Sequence, residues 1–92
     1  METKELTALD LAEVECEKAE EALNDQRYVC QQLTAAVEAL EEYLEPSYER
    51  DTIKNELETC LEGAKNQLLY CETRLAAAEN YLSFQKEKAT NG

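Results

Sequence analysis

The stretch LEEYLEPSYERDTI, residues 40–53, divides the chain into two nearly equal halves. It contains Pro46, the only proline in 92 residues, and the whole chain has only two glycines. Proline stops or kinks a helix, and Ser47 directly after it is a favourable N-cap for a new one. We therefore predict a helix over about 4–45, a turn at about 45–47 and a second helix over about 48–89.

Heptad repeats run through both halves. An apolar a position recurs every seven residues from Leu9 to Leu44 and again from Leu61 to Ala89. The d positions of the first series are apolar except at Gln26, and those of the second are apolar from Leu57 to Ala78. Repeats of this length are typical of coiled coils, and a short link makes consecutive helices antiparallel neighbours. The sequence predicts an all-α fold, an antiparallel two-helix coiled-coil hairpin that occupies residues 1–92 as one domain. Thr7 with Asp10 predicts a capping box at the start of the first helix.

A second apolar stripe lies beside this seam, at the g positions. In an antiparallel pair g faces g, so residues from both helices line one side of the hairpin. Exposed apolar surfaces of this kind mark interfaces, and a symmetric homodimer that forms a four-helix bundle is the simplest way to bury this one. A foreign partner is the rival, and helix-forming alanines without a partner are a third possibility. We call this stripe the apolar flank: Ala22, Val29, Ala36, Tyr43, Ile53 and Tyr81.

The chain has four cysteines, which could be reduced thiols or disulfide-bonded. A tight turn at Pro46 favours a register in which Cys16 faces Ala78, which leaves Cys16 and Cys71 about 10 Å out of step, too far apart to bond. A register shifted by one heptad pairs them but unwinds a helix end. We expect reduced thiols in a cytoplasmic protein that act as small core residues. The arrangement also resembles disulfide-stapled helical hairpins of oxidising compartments, although its spacing differs from theirs. The cysteines are Cys16, Cys30, Cys60 and Cys71.

The net charge of −12 is concentrated in the first half of the chain. Residues 1–45 hold 13 acids and three bases, whereas residues 46–92 hold eight acids and six bases. Like charges three or four residues apart destabilise a helix, so attraction to a basic partner is a natural offset. A solvated helix surface without a partner is the alternative. We call the candidate partner-binding residues the acidic ridge: Glu13, Glu17, Glu20, Glu21, Glu38, Glu41 and Glu42.

Other functions are disfavoured by the residue types present. There is no histidine, no glycine-rich phosphate loop and no CxxC motif, so we expect neither an enzyme nor a metal site nor a cofactor. Direct nucleic-acid binding is opposed by the sign of the charge. No apolar run is long enough for a membrane span, and no basic-then-apolar start predicts a signal peptide.

Three functional hypotheses remain. In the first, the acidic ridge covers a basic, nucleic-acid-binding surface of a target protein. In size, charge and helicity the chain then resembles the small acidic inhibitors of phages and mobile elements, including some anti-CRISPR proteins, and the resemblance implies an inhibitor that mimics DNA. In the second, the chain is a structural, assembly or chaperone-like subunit that works through the apolar flank. The third is the disulfide-stapled hairpin.

Overall fold

Two long helices form a hairpin. The computed structural model describes residues 7–91, in which α1 spans Ala8–Tyr43 and α2 spans Tyr48–Asn91. The two helices pack against each other. The molecule is elongated and measures 66 × 31 × 16 Å. The predicted all-helical hairpin is confirmed, and α2 continues two residues beyond the predicted end.

The start of α1 is fixed by its cap. The backbone N–H of Asp10 donates to Thr7 Oγ1 at 3.1 Å, and the backbone N–H of Thr7 donates to Asp10 Oδ2 at the same distance. Thr7 is extended, with φ −77° and ψ 166°, so α1 begins at Ala8. The predicted capping box is present, whereas the predicted start near residue 4 lies outside the described residues.

The end of α1 comes two residues earlier than predicted. Leu44 is extended, with φ −116° and ψ 137°, and its side chain is half exposed. Glu45 precedes Pro46, and the proline ring disfavours helical angles in the residue before it. The assignment of Leu44 to the buried seam was therefore wrong, because Leu44 is the C-cap residue at which α1 has already ended, ahead of the proline.

The start of α2 uses Ser47 as predicted. Ser47 Oγ accepts a hydrogen bond from the backbone N–H of Arg50 at 3.1 Å, and its carbonyl oxygen accepts one from Asp51 at 3.0 Å. Arg50 also reaches across the turn, where Nη1 donates to the carbonyl oxygen of Leu44 at 2.9 Å. This bond pairs a carbonyl at the end of α1 that has no partner within the helix, and it ties the two helix ends together.

The core is narrow and lies in the half of the hairpin away from the turn, which we call the open half. Cys16, Ala19 and Ala78 form a buried cluster, with Leu75 and Leu82 packed against it. This contact confirms the predicted register, in which Cys16 faces Ala78. All buried residues occupy a or d positions, where small side chains let the helices approach closely: Ala12, Cys16, Ala19, Leu23, Cys71 and Ala78.

Toward the turn the seam is less completely buried. Leu33, Val37, Leu57 and Leu61 are all only partly buried, although they continue the same heptads. The polar seam residue Gln26 lies between these two halves and donates from Nε2 to the carbonyl oxygen of Ala64 at 3.0 Å. Its amide is thus paired across the helices at the one polar position of the first seam.

Candidate protein-interaction surfaces

The acidic ridge lies on one face of α1. Its members occupy b, e and f positions, which are neighbours on the circumference of a helix. All seven glutamates are exposed. They fall into two groups, residues 13–21 and 38–42, whose centres are about 35 Å apart at ~1.5 Å per residue. The structure therefore brings the predicted residues together on one surface and divides them into two clusters.

Few cations compensate the ridge. Lys54 Nζ lies 3.2 Å from Glu41 Oε1 and 3.9 Å from Glu58 Oε1. Among the described residues, the other six ridge glutamates form no ion pair. Glu17 and Glu21 are four residues apart, so their carboxylates repel each other along the helix. The ridge is an exposed, largely uncompensated negative surface.

The apolar flank is open to solvent in the single chain. Ala22 and Ala36 are partly buried. The larger members Val29, Tyr43 and Ile53 expose 42%, 77% and 45% of their surface. Tyr81, in the open half, exposes 48%. The predicted flank is therefore apolar at the surface, and no part of the described chain covers it.

An ion pair that was not predicted from the sequence crosses the apolar flank. Arg74 donates to a single oxygen, Glu15 Oε1, from Nε at 2.9 Å and from Nη2 at 2.7 Å. This hydrogen bond and the carboxylate charge raise the pKa of Arg74. Both residues occupy g positions, so their contact shows that g faces g as predicted. The opposite charges at two g positions were the signal that could have revealed the pair.

Carboxylates on both sides of the seam affect a buried thiol. Burial raises the pKa of the Cys16 thiol, and the nearby carboxylates of Glu79, Glu20 and Glu15 raise it further, while Lys86 lowers it. A thiol that resists ionisation is a poor nucleophile and a poor metal ligand. Cys16 therefore serves as a small apolar core residue.

None of the four cysteines forms a disulfide in the structure. All four are free thiols, of which Cys16 and Cys71 are buried, Cys30 is partly buried and Cys60 is exposed. Cys16 packs with Ala78 and not with Cys71. The register thus separates the two buried thiols and gives no support to the disulfide-stapled alternative.

The structure shows little that fits a small ligand. Within residues 7–90, no group of three or more potential ligand side chains is placed to hold a metal ion. A shallow groove lies between the helix ends of the open half, lined by Thr7, Ala8, Leu9, Gln85, Lys88 and Ala89. Neither helix, over its described residues, has a stretch apolar and long enough to cross a membrane.

Comparison with known proteins provides no relative. No protein-family model, no curated protein and no solved structure matches this chain. The features of this chain that point to a function are its two surfaces, the acidic ridge and the apolar flank.

Proposed function

We propose that this chain is a small acidic protein-binding module whose ridge covers a basic surface of a target protein in the cytoplasm. The observation that carries the proposal is the face of seven exposed glutamates, six of which have no cation partner among the described residues. Carboxylates held in this way on a rigid helix attract a basic surface without first breaking internal ion pairs. The contact is between proteins, with no direct nucleic-acid binding.

The best-fitting target is a surface that normally holds nucleic acid. Such surfaces are rich in lysine and arginine because they neutralise phosphates. The two ridge clusters are separated by about 35 Å, close to one turn of B-DNA at roughly 34–36 Å. A protein that grips phosphates one turn apart would present cations at the matching spacing. Occupation of that surface would make the chain an inhibitor that mimics DNA.

The test is charge reversal on the ridge. In E17K/E21K/E38K the changed residues are exposed and form no described ion pair. The fold should survive, because E17K and E38K replace repulsion by attraction toward glutamates three and four residues away, while residues 17 and 21 remain like-charged. These glutamates are Glu13, Glu20, Glu41 and Glu42. Wild-type protein immobilised as bait should capture a basic target at low salt and release it as salt rises, since exposed charge contacts are screened. Capture that persists in the triple variant would contradict the proposal.

A second candidate function is that of an assembly or chaperone-like subunit working through the apolar flank. It is favoured by the exposure of Val29, Tyr43, Ile53 and Tyr81 on one side of the hairpin, because exposed apolar surface of this kind marks an interface. In this function the chain forms a homodimer or lends the flank to another protein. Both functions are compatible, since the ridge and the flank lie on different sides of α1.

A further inference from the structure

We infer that the apolar flank binds a second copy of this chain, turn end beside turn end, in a four-helix bundle aligned by Glu15 and Arg74. This inference rests on the second proposed function and does not depend on the acidic ridge. It is carried by three features of the structure: the exposed area, the distribution of charge and the position of one ion pair.

The exposed area is larger than a compact monomer requires. The chain exposes 7208 Å², whereas the scaling of surface with mass gives about 5400 Å² for a folded monomer of 10.5 kDa. The excess is about 1800 Å², and a stable interface of standard size removes about 800 Å² from each partner. A dimer through one side of the hairpin therefore lies within the area that the chain leaves uncovered.

The flank is also the side on which two copies can approach. With a net charge of −12, identical chains repel each other over most of their surface. The g positions hold one acid, Glu15, and two bases, Arg74 and Lys88. The opposite side, at the e positions of the two helices, holds seven acids and three bases. Electrostatic repulsion therefore excludes a second copy from the e side and permits it at the flank.

The ion pair selects the alignment. Glu15 and Arg74 join across the flank in the open half, and both side chains remain partly exposed, at 46% and 37%. When the two turns lie side by side around a parallel two-fold axis, α1 of one copy faces α2 of the other. Glu15 then lies between its own Arg74 and that of the second copy, which closes a ring of alternating charges.

The opposite alignment leaves this pair without a partner. If the copies run head to tail, the ion pair of one chain lies over the level of Ala36 and Cys60 of the other. A charge pair pressed against apolar side chains loses water without gaining a hydrogen bond. In the turn-to-turn alignment, the apolar residues near the turn, including Val29 and Tyr43, instead lie at the same level as their own copies, as do Tyr81 and the neighbouring Leu11 and Phe84.

Light scattering after size-exclusion chromatography tests whether the flank is the interface. Wild-type protein should be a dimer that Val29→Glu converts to a monomer, whereas Ala35→Glu, an exposed substitution outside the flank, should leave it dimeric. Arg74→Glu should raise the dimer dissociation constant at least about tenfold, and E15R/R74E should restore it. Circular dichroism of each variant measures its helix content and so distinguishes loss of folding from loss of association.

Cross-linking at Cys60 tests the alignment. Cys60 is exposed beside the flank, and turn-to-turn packing brings the two Cys60 thiols to the same level. Head-to-tail packing places them roughly 28 Å apart along the bundle. A short bis-maleimide should therefore give a covalent dimer with the wild type and none with Cys60→Ser. The matched control T59C/C60S moves the thiol to a neighbouring position that points away from the flank, and it should cross-link poorly.

Each experimental outcome either supports the proposed dimer or overturns it. A dimer that is lost in Val29→Glu, restored by the charge exchange and cross-linked through Cys60 supports it. A wild-type monomer, a dimer insensitive to Val29→Glu, or a dimer that Cys60 does not cross-link overturns it. Any of the last three results leaves the ridge proposal standing, because target capture by E17K/E21K/E38K is measured separately.

Discussion

Gln26 and Ala64 are joined across the hairpin by a hydrogen bond of 3.0 Å, from the side-chain amide of one to the backbone carbonyl of the other. This bond lies between the tightly packed open half and the looser half near the turn. The bond forms in the same alignment in which Cys16 packs against Ala78, and it pairs the amide of a polar seam residue that is partly buried. The hairpin therefore has a fixed alignment even where its seam is only partly buried.

Removal of this amide should weaken the fold. We expect Gln26→Ala to lower the free energy of unfolding by about 1 kcal/mol, the net value of a typical buried hydrogen bond. Gln26→Leu loses the same bond but adds apolar burial, so it should be at least as stable as the wild type. Urea unfolding followed by circular dichroism gives both values. An unchanged stability in Gln26→Ala would show that the bond makes no net contribution.

Stability should fall at alkaline pH because of Cys16. The pKa of its thiol is raised above the ordinary value of 9.0 in the folded chain, chiefly by burial. The unfolded chain therefore loses this proton at a lower pH than the folded chain does, so the contribution is fully present below about 9 and is lost as pH rises through the folded pKa.

The measurement is the free energy of unfolding from about pH 8 to about pH 10 in wild type and Cys16→Ala. Other groups titrate in both proteins, so the difference between the two curves isolates the thiol. We expect the wild type to lose more stability than the variant over this range. Parallel curves would mean that Cys16 ionises equally easily in both states.

Gly63 should be replaceable with a gain in stability. A Cβ built at this position meets nothing within 4 Å, and the residue is exposed on α2. Glycine inside a helix costs about 1 kcal/mol relative to alanine, so Gly63→Ala should raise the midpoint of thermal unfolding by about 4–8 °C. Ala77→Gly, at an equivalent exposed position two heptads later, should lower it by a similar amount. A lower midpoint in Gly63→Ala would reveal a need for glycine that the single chain does not show.

Local signals and heptads were enough to predict most of the fold. Thr7 and Ser47 have side chains that pair helical N–H groups wherever they precede a helix, so both caps could be read from sequence. The register followed from the position of Pro46 and the spacing of the seam. Leu44 was misassigned because heptad periodicity continues through it, whereas helices end at or before the residue that precedes a proline, whatever the heptad phase.

The surfaces were less completely predictable. The exposure of the ridge follows from its b, e and f positions, but the pairing of Glu15 with Arg74 depends on two long side chains meeting across 59 residues of sequence. The burial of Cys16 and the partial exposure of Leu33 depend on how closely the helices approach along their length. Heptad spacing specifies which positions face the partner helix, and it does not specify that distance.

We propose that the position of the glutamates on the ridge, rather than the total charge of the chain, determines target binding. The most direct measurement compares target affinity in E17K/E21K/E38K with that in E56K/E62K/E87K, which changes the net charge equally at exposed positions of α2. We predict that the ridge variant loses capture at every salt concentration, while the α2 variant retains it with a weaker salt dependence. Equal losses in both variants, or capture retained by the ridge variant, would contradict the account.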